Sequence, residues 1–325
     1  MASNGYYRDP EDHRDPDVRV VYKGGFYHLN NRVYSHIDKY LFPCDQTEQE
    51  RLDIFHKLCL VARGQHLYQR QLPVPARVLD LGCGTGIWVN DLADQLWRAN
   101  GDGTYHITGW DLTSHQSPQI PRGVDFEVRD IDKPWVGVEP DLFDMIHIRM
   151  LVGGITSWER VYEQALRHLK PGTGTLEHVE IDFRPIIDGP SSDLEKTSLL
   201  RWSQDLQDKM CRLERELHPR ENTIEILTSL GYVNIDHDQM RLPLNPAWPE
   251  KPHEKEIGKW FNLGVCQGLQ ALSLRPLTFD NHYTKIQLEE LITGVKKDIC
   301  NRNLRAYCIM HIWTAQRPPS PTRRV

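Results

Sequence analysis

A glycine-rich loop is the segment of the sequence whose residue types point most directly to ligand binding. Residues 78–86 read VLDLGCGTG, an apolar strand pattern followed by Gly82, Gly84 and Gly86, and a helix pattern begins near Ile87. Glycines permit sharp turns and a close approach of a ligand to the backbone. The helix start behind them offers free N–H groups and the positive end of the helix dipole. We therefore predict a ligand at the carboxyl end of this strand.

The spacing of the glycines argues against a dinucleotide as that ligand. The dinucleotide fingerprint has glycine at the first and sixth loop positions, counting Gly82 as the first. The sixth position is Ile87, and glycine stands instead at the fifth, Gly86. Asp80, which precedes the loop, suits a ligand that carries an ammonium group.

Carboxylates end the next two predicted strands as well. Asp111, with Leu112 beside it, is placed to accept hydrogen bonds from a ribose diol. Asp130 and its apolar neighbour Ile131 are placed to bond and sandwich an adenine. An amino acid, a ribose and an adenine together describe S-adenosylmethionine, which we predict as the cofactor. The predicted binding residues are Asp80, Gly82, Gly84, Gly86, Asp111, Leu112, Asp130 and Ile131.

Alternating strand and helix patterns predict a mostly parallel sheet with helices on both faces. The predicted strands are 77–81, 105–112, 124–129, 144–149, 175–181, 232–235 and 307–316. We expect one helix to begin with a capping box of Thr47 and Glu50, and another, with Trp158 on its apolar face, to begin with a box of Thr156 and Glu159. Further helices are predicted over 191–217 and 222–230 and around 288–299.

This order of patterns predicts one domain with extensions. We assign residues 75–317 to the domain, with a helical insertion at about 243–280, and residues 21–74 to an N-terminal extension and lid. Residues 1–20 and 318–325 are polar or proline-rich and bury too little apolar surface to offset the entropy lost on ordering. We expect these two segments to be disordered tails.

Composition excludes several other classes of function. Lys and Arg number 39 against 45 Asp and Glu, a net charge of −6, which disfavours nucleic-acid binding as the main role. No apolar run is long enough to cross a bilayer, so we expect no membrane insertion. The 7 cysteines form no CxxC pair and the 15 histidines are dispersed, so we expect no disulfide framework and no metal site. A reducing compartment fits this pattern, and we expect a cytoplasmic protein, with the nucleus as an additional location.

The sequence resembles class I methyltransferases in general and the fungal LaeA-like methyltransferases in particular. The general match consists of the DLGCGTG loop, the strand ends at Asp111 and Asp130, and LKPG at residues 169–172. The narrower match adds GTGIW after the loop, DMIHIRML over 144–151 and HVEIDF over 178–183. An N-terminal signature completes it, an Asn/Arg/Tyr cluster followed by a P-x-D-x-x-E-x-x-R-L-D run, to which we assign Asn31, Arg32, Tyr34, Tyr40, Pro43, Asp45, Glu50, Arg51, Leu52, Asp53 and His56.

The resemblance implies both a fold and an activity. The fold is the Rossmann-like α/β fold of class I methyltransferases, a seven-stranded sheet whose last strand is antiparallel, with an N-terminal helical extension and a C-terminal helical insertion. The activity is methyl transfer from S-adenosylmethionine. Two departures are Thr173-Gly174 where a second glycine usually follows LKPG, and Asn31 where glycine is common. Neither touches the cofactor loop.

The acceptor of the methyl group is left open by the sequence. The leading hypothesis is the oxygen or nitrogen of a small fungal secondary metabolite. The alternative is a LaeA-like regulatory methyltransferase that acts on or through protein partners in the control of secondary metabolism and development. A third hypothesis keeps the fold but uses the bound sulfonium only for electrostatics.

Polar residues near the ends of the fourth and fifth strands are the candidate catalytic groups. A general base is needed only if the acceptor carries a proton. His147 is one candidate, and His178 and Glu180 are two more that face the same side of their strand. Arg149 is a candidate ligand of the cofactor or of an acidic substrate, and Tyr34 is a candidate lid over the cofactor. The alternative is that these residues are buried polar groups satisfied by their neighbours or, for Tyr34, part of a surface hairpin.

Overall fold

The structure, a computed structural model, places a small antiparallel sheet before the main domain. Its strands are β1 (Val21–Lys23), β2 (Phe26–Leu29) and β3 (Arg32–Tyr34). The predicted tail 1–20 and the end of the predicted C-terminal tail lie outside the described residues. The structure describes residues 21–23, 26–29, 31–35, 39–114, 116, 119–188, 197–278 and 282–320.

The main sheet has seven strands in the order β6-β5-β4-β7-β8-β10-β9. Strand β10 is antiparallel to both β8 and β9, and the strands from β6 through β8 are parallel. The predicted fold class is therefore confirmed. The strands are β4 (Ala76–Leu81), β5 (Tyr105–Asp111), β6 (Val124–Val128), β7 (Met145–Arg149), β8 (Thr175–Ile187), β9 (Val233–Pro243) and β10 (Ala306–Gln316).

Seven α-helices surround this sheet in the described part of the chain, and they cover both of its faces. They are α1 (Gln46–Ala62), α2 (Ile87–Asn100), α3 (Trp158–His168), α4 (Ser198–Arg212), α5 (Thr223–Ser229), α6 (Pro252–Thr278) and α7 (Lys285–Cys300). Val78 of β4 packs into the core that includes α2, whereas the next residue, Leu79, packs into the core that includes α3. Successive strand residues point to opposite faces, so the two cores lie on opposite sides of the sheet.

Helices α1, α4, α6 and α7 form a third core with β8. This core includes Phe55 of α1, Trp202 of α4, Phe261 of α6 and Val295 of α7. The predicted insertion at 243–280 corresponds to α6. Of the predicted helix 191–217, residues 191–196 are not described, α4 covers 198–212, and residues 213–217 are not helical. Among the described residues, no helix combines the length and apolar character needed to span a membrane.

Two strands are longer than their apolar patterns predicted. Strand β8 continues to Ile187, where it pairs with Ala306, and β9 continues to Pro243, where it pairs with Tyr307. Strand β9 lies at the edge of the sheet, and most of its side chains are exposed or half-buried. Its polar sequence therefore gives no alternating pattern, and pairing with β10 sets its length.

Both predicted capping boxes are wrong. Helix α1 begins after Asp45, whose carboxylate accepts the N–H of Glu48 at 3.1 Å, so Thr47 and Glu50 do not cap it. Arg32 fixes Asp45 by donating from Nε at 2.6 Å and from Nη2 at 2.9 Å. Helix α3 is capped by Ser157 rather than Thr156, because the Ser157 hydroxyl accepts the Arg160 N–H at 3.3 Å.

We expect Asp45→Ala to lower the free energy of unfolding by about 2 kcal/mol, the upper end for helix caps, because buried Arg32 also loses its partner. Thr47→Ala is the matched control, since Thr47 is exposed and contributes no cap, and it should change the value by less than about 0.5 kcal/mol. Denaturant unfolding of both variants measures this difference. Equal effects would contradict the assignment of Asp45 as the anchor of α1.

Candidate active site

A cavity opens where the carboxyl ends of the central parallel strands meet helix α1, and we call it the central cavity. Eight of the residues predicted from the sequence to bind the cofactor line it together, namely Asp80, Gly82, Gly84, Asp111, Leu112, Asp130, Ile131 and Arg149. The opposite wall comes from the segment before α1 and from α1 itself, with Tyr40, Cys44, Glu48, Leu52, Phe55 and His56. The three carboxylates predicted to bind S-adenosylmethionine thus share one space.

Two glycines of the loop lie so close to neighbouring side chains that no other residue would fit there without displacement. Gly82 has φ +70°, and a Cβ there would lie 2.2 Å from Leu151. Gly86 has φ +77° and is the N-cap of α2, and a Cβ there would lie 2.7 Å from Phe126. Gly86 itself does not line the central cavity, and its positive φ turns the chain into α2.

Backbone N–H groups orient the second carboxylate. Gly84 donates to Asp111 Oδ2 at 2.9 Å, and the Thr113 N–H donates to Oδ1 at 3.0 Å. The third carboxylate, Asp130, accepts the Asp132 N–H at 3.2 Å through Oδ1. Its Oδ2 accepts Lys39 Nζ at 2.8 Å, so the N-terminal segment reaches across to the position predicted for adenine.

Asp80 is buried and is hydrogen-bonded to a histidine of the neighbouring strand. His147 Nδ1 lies 2.7 Å from Asp80 Oδ1, and the imidazole stacks on Trp88 with the rings 3.8 Å apart. Burial raises the pKa of Asp80 to about 7, although the positive charge of Arg149 opposes the rise. Burial lowers the pKa of His147 well below its usual value, so a neutral imidazole donates Nδ1–H to Asp80. His147 does not line the cavity and supports Asp80 instead of contacting substrate.

A chain of side chains holds Arg149 in the cavity wall. Arg149 Nη1 donates to His56 Nδ1 at 3.0 Å, and His56 Nε2 lies 2.9 Å from Asp91 Oδ2. Burial lowers the pKa of His56, which favours the neutral ring with its proton on Nε2. Both ring nitrogens are then used, one as acceptor and one as donor. Arg149 therefore stands beside Asp80 with its orientation fixed by α1.

Three other predicted site residues lie away from the central cavity. Tyr34 is fully buried in the small sheet, so it is no lid, and Tyr40 lines the cavity instead. His178 bonds to Tyr162 at 2.9 Å and to Glu180 at 3.1 Å, within the core. His147 does not line the cavity either, so none of the three predicted catalytic residues does. At these positions the strands are buried in the core.

The sequence patterns missed most of the α1 wall. The acid in the N-terminal signature that pairs with Arg51 is Glu48, whose Oε2 accepts Arg51 Nε at 2.9 Å. Glu50, the acid that we assigned to the signature from the sequence, is exposed. Once Asp45 is taken as the N-cap, Glu48, Leu52 and Phe55 recur at helical spacing and face the cavity. The correct cap would therefore have revealed this wall.

The cavity residues fit the parts of S-adenosylmethionine. A Cβ on Gly84 would meet only Leu52, at 3.5 Å, so the space beside the loop is open to a ligand. Asp80, Asp111 and Asp130 reach that space from three successive strand ends. No group of three or more His, Cys, Asp or Glu side chains in the described part of the chain is arranged to hold a metal ion.

Comparison with known proteins identifies the domain. Residues 53–236 match the methyltransferase domain family. The chain is 40% identical over 286 residues to the secondary metabolism regulator LAE1 of Cochliobolus heterostrophus, which covers 86% of this chain and 90% of that protein. It is 37% identical over 302 residues to the secondary metabolism regulator laeA of Aspergillus niger, covering 91% of this chain and 78% of the relative.

A further relative has a more specific name. The chain is 37% identical over 298 residues to a protein of Emericella nidulans named protein-methionine methyltransferase laeA. The alignment covers 90% of this chain and 77% of that protein. These relatives extend the likeness beyond the methyltransferase domain, into the N-terminal segment and the helices after β9.

We expect Gly84→Arg to abolish binding of S-adenosylhomocysteine, because the side chain would fill the cavity beside the loop. Gly103→Arg is the matched control, since Gly103 also has a positive φ of +74° but nothing lies within 4 Å of its Cβ position. Calorimetry should give wild-type affinity for the control. Wild-type affinity in Gly84→Arg would contradict the assignment of the cofactor to this cavity.

We expect the affinity for S-adenosylhomocysteine to rise between about pH 6 and about pH 8, because Asp80, with a pKa of about 7, gains its charge in that interval. The charged carboxylate then attracts the ammonium group of the ligand, whereas the protonated form at lower pH does not. Calorimetry across this range, repeated with Asp80→Asn, measures the effect. The same rise in affinity with Asp80→Asn would show that another group causes it.

Proposed function

The chain belongs to the LaeA-like family of S-adenosylmethionine-dependent methyltransferases, and we propose that it methylates the thioether sulfur of a protein methionine in the control of fungal secondary metabolism. The name of the Emericella nidulans relative, a protein-methionine methyltransferase, supports this acceptor. The composition of the central cavity supports it independently. The observation that carries the proposal is that a thioether, that of Met150, lines the same cavity as the residues predicted to bind the methyl donor.

Every Asp, Glu and His side chain in the described lining of the central cavity makes a hydrogen bond. His56 uses both ring nitrogens, Asp80 bonds to His147, and Glu48 bonds to Arg51. The remaining acids are Asp111, Asp130 and Asp132, which bond to Gly84, Lys39 and Thr156. A hydroxyl or amine acceptor must lose a proton to a base, and the three strand-end acids in this set are also the groups predicted to bind the cofactor.

A thioether acceptor avoids this requirement because it carries no proton. Bound S-adenosylmethionine supplies the activated methyl group, and the acceptor sulfur bonds to that carbon as the donor's own carbon–sulfur bond breaks. The products are S-adenosylhomocysteine and a methionine sulfonium, and no proton moves. The protein then contributes mainly by holding donor and acceptor in line.

The cavity wall itself contains a thioether. Met150 follows β7 directly and lines the central cavity, next to Leu151 and across from Phe55 of α1. Its backbone has φ +55°, an uncommon conformation for a residue other than glycine. Because Met150 lines the same cavity as the residues predicted to bind the donor, it is the first acceptor to test.

We expect purified protein to transfer labelled methyl groups from S-adenosylmethionine to its own Met150, giving S-methylmethionine on peptide analysis. Met150→Leu should remove this label and leave S-adenosylhomocysteine affinity within about twofold, since leucine keeps a similar apolar volume. Met240→Leu is the matched control, because Met240 lies in β9 and does not line the cavity. Label retained in Met150→Leu would exclude Met150 as the acceptor.

A small-molecule acceptor is the second candidate, and one observation favours it. A second cavity adjoins the central one, and Tyr40 and Met150 line both. Its other walls are mostly apolar and aromatic, from Phe42, Arg51, Val152, Phe183, Trp202, Leu206, Leu217 and Leu272. In a fungal extract with labelled donor, label in the small-molecule fraction would favour this candidate, and label in protein would favour the first.

A further inference from the structure

Glu180 has a buried carboxylate to which the proposed reaction gives no role. Its side chain is 0% exposed in the middle of β8. Oε1 accepts the Leu151 N–H at 2.7 Å and lies 3.1 Å from His178 Nε2. Oε2 is buried and has no hydrogen-bond partner among the described residues. Burying a carboxylate with an unpaired oxygen costs free energy, so we ask which group of the protein this side chain holds in place.

The group that it holds is the turn that ends β7. The Met150 N–H donates to Val179 O at 3.0 Å, and the next N–H, of Leu151, donates to Glu180. Two neighbouring residues of β8 therefore fix two successive amides of this turn. A left-handed residue such as Met150 persists only where its surroundings determine it, and these two bonds do so.

This turn forms part of the central cavity. Met150 and Leu151 both line it, and Leu151 packs against Gly82 of the glycine loop so closely that a Cβ on Gly82 would lie 2.2 Å away. A displaced Leu151 amide would move the Met150 thioether and the apolar cover of the loop together. The carboxylate of Glu180 thus acts on the cavity through one hydrogen bond, although it does not line the cavity itself.

We propose that Glu180 is a positioning residue that sets the orientation of the Met150 thioether in the central cavity. The proposal rests on the proposed function, with Met150 as acceptor. Glu180 does not touch the reacting atoms, and its effect is on the geometry in which sulfur meets the methyl donor. Displacement of a reacting group by about 1 Å can cost a hundredfold in rate, so one amide contact is enough to matter.

A second layer fixes the carboxylate of Glu180 in turn. His178 accepts the Tyr162 hydroxyl at Nδ1, over 2.9 Å, which leaves its Nε2–H to donate to Glu180. The imidazole lies between Trp158, at 4.5 Å, and Trp313, at 5.2 Å. The sequence Tyr162, His178, Glu180, Leu151 is therefore a continuous set of hydrogen bonds from α3 to the cavity wall.

Glu177 provides the matched control, because it is a buried acid on the same strand with only a structural role. It accepts Arg63 Nη2 at 2.7 Å and the Gln69 N–H at 2.7 Å, and it does not line the central cavity. Loss of either acid removes a buried carboxylate and its contacts. Only the loss of Glu180 releases the turn that carries Met150.

The experiment compares Glu180→Ala, Glu180→Gln and Glu177→Gln in three measurements. Glutamine keeps an oxygen at the Oε1 position, which carries both bonds of Glu180. We expect the maximal rate of Met150 self-methylation to fall about tenfold or more in Glu180→Ala, with the donor concentration at half-maximal rate within about twofold of wild type. Glu180→Gln should restore the rate. Glu177→Gln should lower the rate by no more than the fraction of folded protein that this variant loses.

Two readouts do not depend on turnover. Hydrogen exchange of the Leu151 amide should accelerate in Glu180→Ala and not in Glu177→Gln, and the methyl resonance of Met150 should shift in the same variant. Unchanged Leu151 exchange, or equal rate losses in the two acids after correction for folded fraction, would overturn the proposal. If wild-type protein transfers no methyl group to Met150, the proposed acceptor fails, and the exchange data still decide whether Glu180 holds the turn.

Discussion

The reversal of strand order at β4 is the constraint on which the rest of the structure depends. From β4 the chain builds outward through β5 and β6 on one side, then returns to place β7 and β8 on the other. The parallel register aligns Asp80 with Gly109 of β5 and with His147 of β7, so the carboxyl ends of these strands meet at one crevice. Carboxylates that are far apart in sequence come together there because each stands at or just after the carboxyl end of a parallel strand.

The N-terminal segment closes this crevice through ion pairs of unequal strength. Arg32 with Asp45 and Arg51 with Glu48 are largely buried, and breaking either would leave a charge without a partner in the protein interior. Lys39 with Asp130 is more exposed, at 38% and 20%, so solvent screens it. This pair is the weaker attachment, and it lies at the acid predicted from the sequence to bind adenine. A cofactor can displace Lys39 without disturbing the anchors of α1.

The sequence predicted the parts of the structure that depend on local patterns. The apolar strands, the glycine loop and the acids at strand ends were identified because strand ends and turn residues have local signatures. The three predicted catalytic residues do not line the central cavity, and the reason is physical: periodicity indicates that a strand position is buried, but not whether the side chain meets a cavity or another side chain. His147 is opposite Asp80 in the register and bonds to it, and Glu180 bonds to the Leu151 amide. Such long-range pairs leave no trace in either strand's own sequence.

The charge balance of the cavity bears on the choice of acceptor. Methyl transfer to a thioether moves the positive charge from one sulfur to another, so the field of the neighbouring carboxylates acts on a cation before and after the reaction. Transfer to a hydroxyl or a neutral amine changes the balance, because a proton must also leave, and the strand-end acids of the described cavity are those predicted to bind the cofactor. Tyr40 also lines the cavity, and burial raises the pKa of its hydroxyl, which therefore stays protonated near neutral pH. The arrangement that holds Asp80, Arg149 and Glu48 in place therefore favours an acceptor that reacts without acid–base help.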